Sequence, residues 1–265
     1  MKKYRKIIGA VLLFSNFSFA FTDKDLDGVD DSIDKCPNTP FDQIVGQDGC
    51  PIGKIGQEQQ SGIKGRFYFK VGLGYNTEKS NDSTLSAVSV AYAYKGFYVS
   101  LSTNYYLYDS IVKNGGIGDS FLYLSYSFFS IRNLYTTLGL NTKIPTGEDR
   151  FSDGYFDYTP SVSFDYIRGK DDYFIFYGHT FKGNPNLNDT DAFSIGAGYQ
   201  LTRKFYSSLS FDGVSSSVTQ KFRYQLSYFG LYNFTRKYYG TLSYSYGIND
   251  AAIDHSIFTK FGVRF

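Results

Sequence analysis

The chain has 265 residues, a length that fits two average domains or one large β domain. Its formal net charge of +2 is too small to indicate a nucleic-acid partner. It contains 26 Tyr, 26 Phe and no Trp, and no apolar run reaches the roughly 18 residues that a transmembrane helix needs. Many aromatic residues without long apolar runs indicate many short β-strands.

The first twenty residues have the pattern of a secretory signal peptide. A basic start precedes a short apolar core at 7–14, and the small-x-small tripeptide 18–20 follows where signal peptides are cleaved. The apolar core is too short for a membrane anchor helix. We therefore expect residues 1–20 to direct export and to be removed. Cys36 and Cys50 lie in the exported part, where an even cysteine count favours one disulfide.

An acidic stretch over residues 23–34 has the spacing of a calcium-binding loop. Aspartates at its first, third and fifth positions precede Gly28, which permits the sharp turn that brings them around one ion. Hard Ca²⁺ prefers about six to eight oxygen ligands, and a solvated acidic stretch would not need this regular spacing. The predicted ligands are five carboxylates and one backbone carbonyl: Asp23, Asp25, Asp27, Val29, Asp31 and Asp34. Asp34 stands where such loops usually have a bidentate glutamate of longer reach.

Further residues make this segment resemble a thrombospondin type-3 repeat. Cys36-Pro37-Asn38-Thr39-Pro40 and Gly49-Cys50-Pro51 complete the short version found in OmpA-type outer-membrane proteins. The resemblance implies Ca²⁺ as a cofactor, held by the five aspartates, and a Cys36–Cys50 bridge. We expect a periplasmic module at 21–51, stabilised by ion and disulfide because so short a segment buries little core. A Gly-, Gln- and Ser-rich linker at 52–64 follows it.

From residue 65 onward, apolar and polar residues alternate with the period of β-strands. Phe67 and Phe69, for example, alternate with Tyr68 and Lys70. The alternation predicts strands at 65–77, 84–94, 97–109, 119–130, 134–145, 154–168, 172–181, 191–201, 205–213, 221–232, 238–247 and 255–265. Even strand counts are usual in single-chain bacterial barrels. The predicted fold over 65–265 is therefore an all-β, 12-stranded antiparallel transmembrane barrel in outer-membrane lipid.

The predicted connections alternate in length, as in membrane barrels with short periplasmic turns and longer outer loops. The short, basic set lies at 95–96, 131–133, 169–171, 202–204 and 233–237. The longer, polar set lies at 78–83, 110–118, 146–153, 182–190, 214–220 and 248–254. With both barrel ends in the periplasm, the first connection should be an outer loop, and it belongs to the longer set.

A soluble β-sandwich would alternate in the same way, so the second face of the strands decides between the two folds. That face is poor in charge and rich in small polar residues such as Ser100, Ser102, Thr241 and Ser243. Small polar side chains favour a lumen, and Tyr can form the aromatic girdles in the absence of Trp. The C-terminal Phe265 resembles the assembly signal of outer-membrane barrels.

Two neighbouring segments resemble a family of channels. Gly116-Ile117-Gly118-Asp119 and Leu140-Asn141-Thr142-Lys143-Ile144-Pro145-Thr146-Gly147 are similar to the G-x-G-D strand and L-x-x-K-x-P-T-G hairpin of MetA-type outer-membrane channels assigned to phenol degradation. The resemblance implies a transport-type barrel. Gly and Pro at these positions would also shape loop ends in an unrelated barrel.

Charged residues on the predicted inward face indicate a passive channel for small solutes. They are Lys70, Lys143, Asp157, Asp165, Asp212, Lys221, Arg223 and Lys260. Charged rings in a lumen set ion preference, and the excess of bases indicates a mild preference for anions. Internal salt bridges that close the lumen are the alternative, and they would make the chain a structural or adhesive barrel.

The two histidines give little support for an enzyme. A phospholipase barrel needs a Ser nucleophile, a His base and a polar orienting group, and His179 lacks the H-x-S-N-G context. His255 and Ser256 are adjacent on a strand and so point to opposite faces. A protease of the aspartate/histidine type would need rim acids near a histidine, for which the loops offer Asp189, Asp191, Asp250 and Asp254. Acidic outer loops are common without catalysis, so we expect no enzyme.

Overall fold

The computed structural model describes Lys35 and residues 65–265 except Ser80 and Arg132. The predicted signal peptide, the calcium ligands, both cysteines and the linker therefore lie outside the described residues. Within the described part, no helix is long and apolar enough to cross a bilayer.

Twelve antiparallel strands form one closed barrel, in which each strand pairs with its sequence neighbours and the first pairs with the last. This confirms the predicted all-β, 12-stranded antiparallel barrel. The strands are β1 (Arg66–Glu78), β2 (Asn81–Tyr94), β3 (Phe97–Asp109), β4 (Asn114–Ile131), β5 (Leu134–Ile144), β6 (Asp157–Arg168), β7 (Asp171–Lys182), β8 (Thr190–Thr202), β9 (Phe205–Ser215), β10 (Phe222–Asn233), β11 (Tyr238–Gly247) and β12 (His255–Arg264).

The barrel closes where β1 meets β12. The two strands pair from Tyr68–Arg264 to Thr77–His255, and Phe67 and Phe265 extend the ladder by exchanging backbone hydrogen bonds of 3.2 and 2.9 Å. Closure matters because an unpaired strand edge in lipid would leave its N–H and C=O groups without partners.

The two ends of the barrel differ in their connections. We call the end at which β1 starts and β12 stops the terminal end, and the opposite end the loop end. Terminal-end connections are short, at 95–96, 132–133, 169–170, 203–204 and 234–237. In the first of these, Lys95 and Gly96 both have positive φ, 46° and 80°, as a two-residue type I′ hairpin turn requires. Loop-end connections lie at 79–80, 110–113, 145–156, 183–189, 216–221 and 248–254.

The first connection is shorter than the sequence predicts. β1 and β2 remain paired up to Glu78 and Asn81, so only two residues join them, instead of a loop over 78–83. Polar residues at 81–83, which the sequence assigned to a loop, belong to β2. Ser83, for example, pairs with Asn76 of β1 on the inward face, and the two side chains share a 3.4 Å hydrogen bond.

The outward face of the barrel is apolar. Aliphatic side chains form its central band, with Leu209 65% and Ile195 52% exposed. Aromatic rings flank this band and contact one another, with centroid distances of 4.7 Å for Phe67–Tyr92 near the terminal end and 5.6 Å for Phe211–Tyr224 toward the loop end. An apolar band between two aromatic girdles is typical of a lipid-facing barrel surface.

Candidate functional site: the barrel lumen

The strand register places most of the predicted charged residues on inward positions. Lys70, for example, is 8% exposed between the outward Phe69 and Val71, which are 42% and 39% exposed. The other inward members of the predicted set are Lys143, Asp157, Asp165, Asp212, Arg223 and Lys260. Lys221 lies just before β10 in an exposed connection, where its carbonyl accepts a 3.0 Å hydrogen bond from Ser216 N–H. Lys221 is therefore not a strand residue of the lumen wall.

Two of these predicted residues meet in a buried ion-pair network near the loop end. The Lys143 ammonium lies 2.5 Å from Asp153, 3.2 Å from Asp157 and 3.9 Å from Asp119. The Lys182 ammonium lies 2.8 Å from Asp157. All five side chains are at most 12% exposed, so this mouth network pairs its charges within the protein, with two ammonium groups facing three carboxylates. The sequence did not indicate that Asp119, Asp153 and Lys182 would form ion pairs with Lys143 or Asp157.

The longest connection, residues 145–156, forms a mouth loop that packs on β3 and β4. The Phe151 ring stacks on Tyr106 of β3 with a centroid distance of 4.5 Å. Glu148 N–H donates to the Ile117 carbonyl at 2.9 Å, and Gly147 N–H donates to Asp119 Oδ1 at 3.1 Å. Asp153 supplies a further tether through Lys143. These contacts hold the loop on one side of the mouth.

Two carboxyl groups of the mouth loop have lowered pKa values. Burial alone would raise the pKa of Asp153, but the hydrogen bond and charge of Lys143 outweigh it and leave that pKa below its usual range. The pKa of Glu148 is lowered by hydrogen bonds from the Arg150 guanidinium and from Ile117 N–H. Both groups are therefore anionic at neutral pH.

The middle of the lumen is lined mainly by small polar side chains. Its inward positions include Ser89, Ser100, Ser102, Ser161, Ser194, Ser210, Ser227, Ser243 and Ser245. Asp212 accepts hydrogen bonds of 2.5 Å from both Ser194 and Ser227. Lys70 and Lys260 lie on adjacent strands, and the Lys260 ammonium lies 5.1 Å from the centroid of the Phe258 ring.

The lumen charges are more evenly divided than the sequence indicated. Inward bases that the sequence missed are Arg66, Lys182 and Arg264, and inward or mouth-loop acids that it missed are Asp109, Asp119, Asp153 and Asp172. These acids offset the excess of bases from which an anion preference was expected. Among the described residues, the lumen therefore carries bases and acids in comparable number.

Large inward side chains form a cluster at the terminal end of the lumen. We call Tyr68, Tyr98, Tyr206, Leu231 and Tyr239 the tyrosine collar; each lies within three residues of a terminal-end strand terminus. They pack in one cluster with Ala91, Ala93 and Phe229. The Arg264 guanidinium lies 4.4 Å from the Tyr239 ring centroid, which adds a cation–π contact.

Both histidines face outward rather than into the lumen. His179 Nδ1 lies 2.8 Å from Asp191, which also accepts a 2.7 Å hydrogen bond from the Tyr177 hydroxyl. His179 Nε2 faces Asp189 at 3.8 Å instead of a nucleophilic hydroxyl. His255 Nδ1 contacts the Tyr244 hydroxyl at 2.9 Å. These contacts bring His179 together with two rim acids, without the serine that acyl transfer needs.

Comparison with known proteins identifies the fold. No family model and no curated protein sequence matches the chain. Among solved structures, the NanC porin has a TM-score of 0.56 at 15% identity and is matched over 74% of this chain and 98% of its own. The KdgM porin has a TM-score of 0.53 at 8% identity with the same coverage. The structure of KdgM in complex with oligogalacturonate has a TM-score of 0.54 at 9% identity and is matched over 75% of this chain and 98% of its own. At these identities the likeness establishes a porin-like barrel fold.

Proposed function

We propose that the barrel is an outer-membrane channel for the passive passage of small polar solutes. The observation that carries this proposal is the contrast between its two faces. Outside, an apolar band lies between aromatic girdles, and inside, small hydroxyl side chains continue along the wall. A purely structural barrel would gain more from an apolar, tightly packed interior, because buried polar groups must each find partners.

The proposal extends to the segment before the barrel. Residues 1–20 would direct export, and the module at 21–51 would bind Ca²⁺ through its five aspartates and the Val29 carbonyl, with a Cys36–Cys50 bridge. Because β1 starts at the end with short turns, the linker at 52–64 would hold this module in the periplasm.

The resemblance to MetA-type channels supports transport in general terms. The resembling residues form β4, β5 and the start of the mouth loop, where Asp119 and Lys143 belong to the mouth network. The motif therefore coincides with the residues that shape the loop-end mouth. It adds no solute identity to the proposal.

Planar-bilayer recording of the refolded exported chain, residues 21–265, tests the channel. We expect discrete unitary conductance steps, with weak ion selectivity in a salt gradient because the lumen charges are balanced. A preparation that folds, as judged by the heat-dependent gel shift of intact barrels, and yet gives no steps would contradict the proposal.

A second candidate is a structural or adhesive barrel with a closed lumen. The mouth network and the tyrosine collar favour it, because both fill lumen space with packed side chains. Silent bilayers combined with loop-dependent adhesion would identify this role. A hydrolase is the weakest candidate and would need lipase or protease activity that is lost in His179→Ala or His255→Ala.

A further inference from the structure

Three inward members of the tyrosine collar are almost inaccessible to water. Tyr239 is 0% exposed, Leu231 2% and Tyr68 5%. Inward serines in the middle of the barrel, such as Ser102 and Ser243, keep partial access to solvent. Side chains that line a wide aqueous passage would be accessible in the same way. The buried collar residues therefore mark a tightly packed section at the terminal end.

The collar covers most of the circumference. Its members lie on β9, β10, β11, β1 and β3, and β3 and β9 are diametrically opposite in the twelve-stranded order. From β9, the Tyr206 hydroxyl donates a 2.7 Å hydrogen bond to Asp172 of β7. From β3, the Tyr98 ring lies 6.1 Å from that of Tyr123 on β4. With these contacts, the collar extends around the described barrel from β7 to β4 and leaves out β5 and β6. The mouth loop, in contrast, is held on one side of the barrel, by β3, β4 and β5.

The Tyr239 hydroxyl of the collar is buried and has no hydrogen-bond partner among the described residues, although the Arg264 guanidinium lies over the ring. Most buried polar atoms in folded proteins are hydrogen-bonded, so an exception needs an explanation. The end of the Tyr239 ring packs over Gly262 of β12, where an added Cβ would lie 2.6 Å from the hydroxyl oxygen, so close packing within the collar accounts for the missing partner.

We infer that the tyrosine collar, and not the mouth loop, is the constriction that sets the conductance and the solute size limit of this channel. The inference rests on the proposed channel function and specifies where in the lumen the size limit arises.

Single-channel recording of four variants of the exported chain tests the collar. Tyr239→Ala and Tyr68→Ala should raise unitary conductance severalfold, because each removes a ring from the narrowest section. Tyr238→Ala is the matched control, since its side chain is the outward neighbour of Tyr239 and is 44% exposed. Tyr239→Phe keeps the ring, so its ionic conductance should equal that of the unmodified chain.

Liposome swelling with glycerol, arabinose and raffinose supplies the size limit. The two inward alanine variants should admit a larger sugar than the unmodified chain or Tyr238→Ala does, and Tyr239→Phe should keep the size limit of the unmodified chain. Unchanged conductance and unchanged sugar limit in folded alanine variants would overturn the collar assignment.

The recordings also separate this inference from the channel proposal. A silent unmodified chain with conducting alanine variants would support the collar and replace the open channel with a closed barrel. Silence in the unmodified chain and in every folded variant would reject both.

Discussion

Phe151 of the mouth loop lies flat on Tyr106 of β3, with ring centroids 4.5 Å apart and planes inclined by 7°. Tyr106 is an inward residue and is 7% exposed, so the stack fastens the longest connection to the lumen wall. The loop begins after β5, so this contact reaches across β4 to a strand that is not its neighbour.

Phe151→Ala should release the mouth loop without unfolding the barrel. The lost stack is worth about 0.5–1.5 kcal/mol beyond its buried area, enough to shift a locally held loop. Limited chymotrypsin digestion at neutral pH should then cut at 155–156 faster than in the unmodified chain. Asp149→Ala is the control, because Asp149 is an exposed residue of the same loop and its replacement leaves both cleavage sites intact. Equal cleavage rates in Phe151→Ala and the unmodified chain would show that the stack does not hold it.

Lys143→Met should destabilise the whole barrel. It leaves Asp119, Asp153 and Asp157 near one another with only Lys182 to compensate. Removing one partner of a buried ion pair typically costs roughly 3–5 kcal/mol. Urea unfolding in vesicles measures the loss in the free energy of unfolding. Lys221→Met is the exposed control and should change this free energy little. A loss no larger than that of the control would mean that the network is solvated.

Acid should loosen the mouth loop through Asp153. The folded-state pKa of this carboxyl is lowered, so its stabilising contribution is present above the unfolded pKa and is lost as pH falls through the folded value. Asp119 and Asp157 share the Lys143 ammonium with Asp153, and Asp157 also pairs with Lys182. We expect the loop to remain ordered from neutral pH down to roughly pH 3.9 and to open below it.

Hydrogen exchange of residues 145–156, corrected for the intrinsic pH dependence, follows this opening. Asp153→Asn should show low protection already at neutral pH. Protection that persists unchanged below the transition in the unmodified chain would contradict a carboxylate tether.

Ile195→Lys should impair membrane insertion. Ile195 lies on the outward apolar band and is 52% exposed, and a lysine at the bilayer midplane costs roughly 2–4 kcal/mol. Ser210→Lys on the adjacent strand faces the lumen and is the matched control. Folding into vesicles should fall for the first variant only. Equal folding of both would show that the band does not face lipid.

Asp25→Ala combined with Asp27→Ala should abolish any calcium-dependent stabilisation of the module. A ligand present at about 100 times its Kd stabilises the folded state by about 2.7 kcal/mol, and removing two carboxylates removes that gain. Thermal unfolding with and without Ca²⁺ measures the difference. A calcium shift that survives the double substitution would mean that these acids are ordinary solvated surface.

The alternation of side chains made the barrel predictable. Because successive strand residues point to opposite faces, a run such as Phe69-Lys70-Val71 predicts both the strand and which residues face lipid. The strand count and the short terminal-end turns follow from the same signal.

The lumen contacts were much less predictable. β7 has large apolar residues on both faces, such as Phe176 inside and Ile175 outside, so alternation alone did not place Lys182. Asp153 lies on a loop whose path depends on packing against Tyr106 and not on local pattern. Alternation with Thr241 and Ser243 places Tyr239 on the inward face, but no local pattern indicates its contact with Arg264 of β12.

The junction of β1 and β12 also determines how the molecule must assemble. Its contacts join residues as far apart as Phe67 and Phe265, 198 positions along the chain. Closing so large a loop has an entropic cost that is offset only when the last strand pairs with the first. Folding is therefore slow. Until then, β1 has an open edge that can pair with another chain. A newly exported chain therefore depends on being kept from aggregation until its twelfth strand arrives.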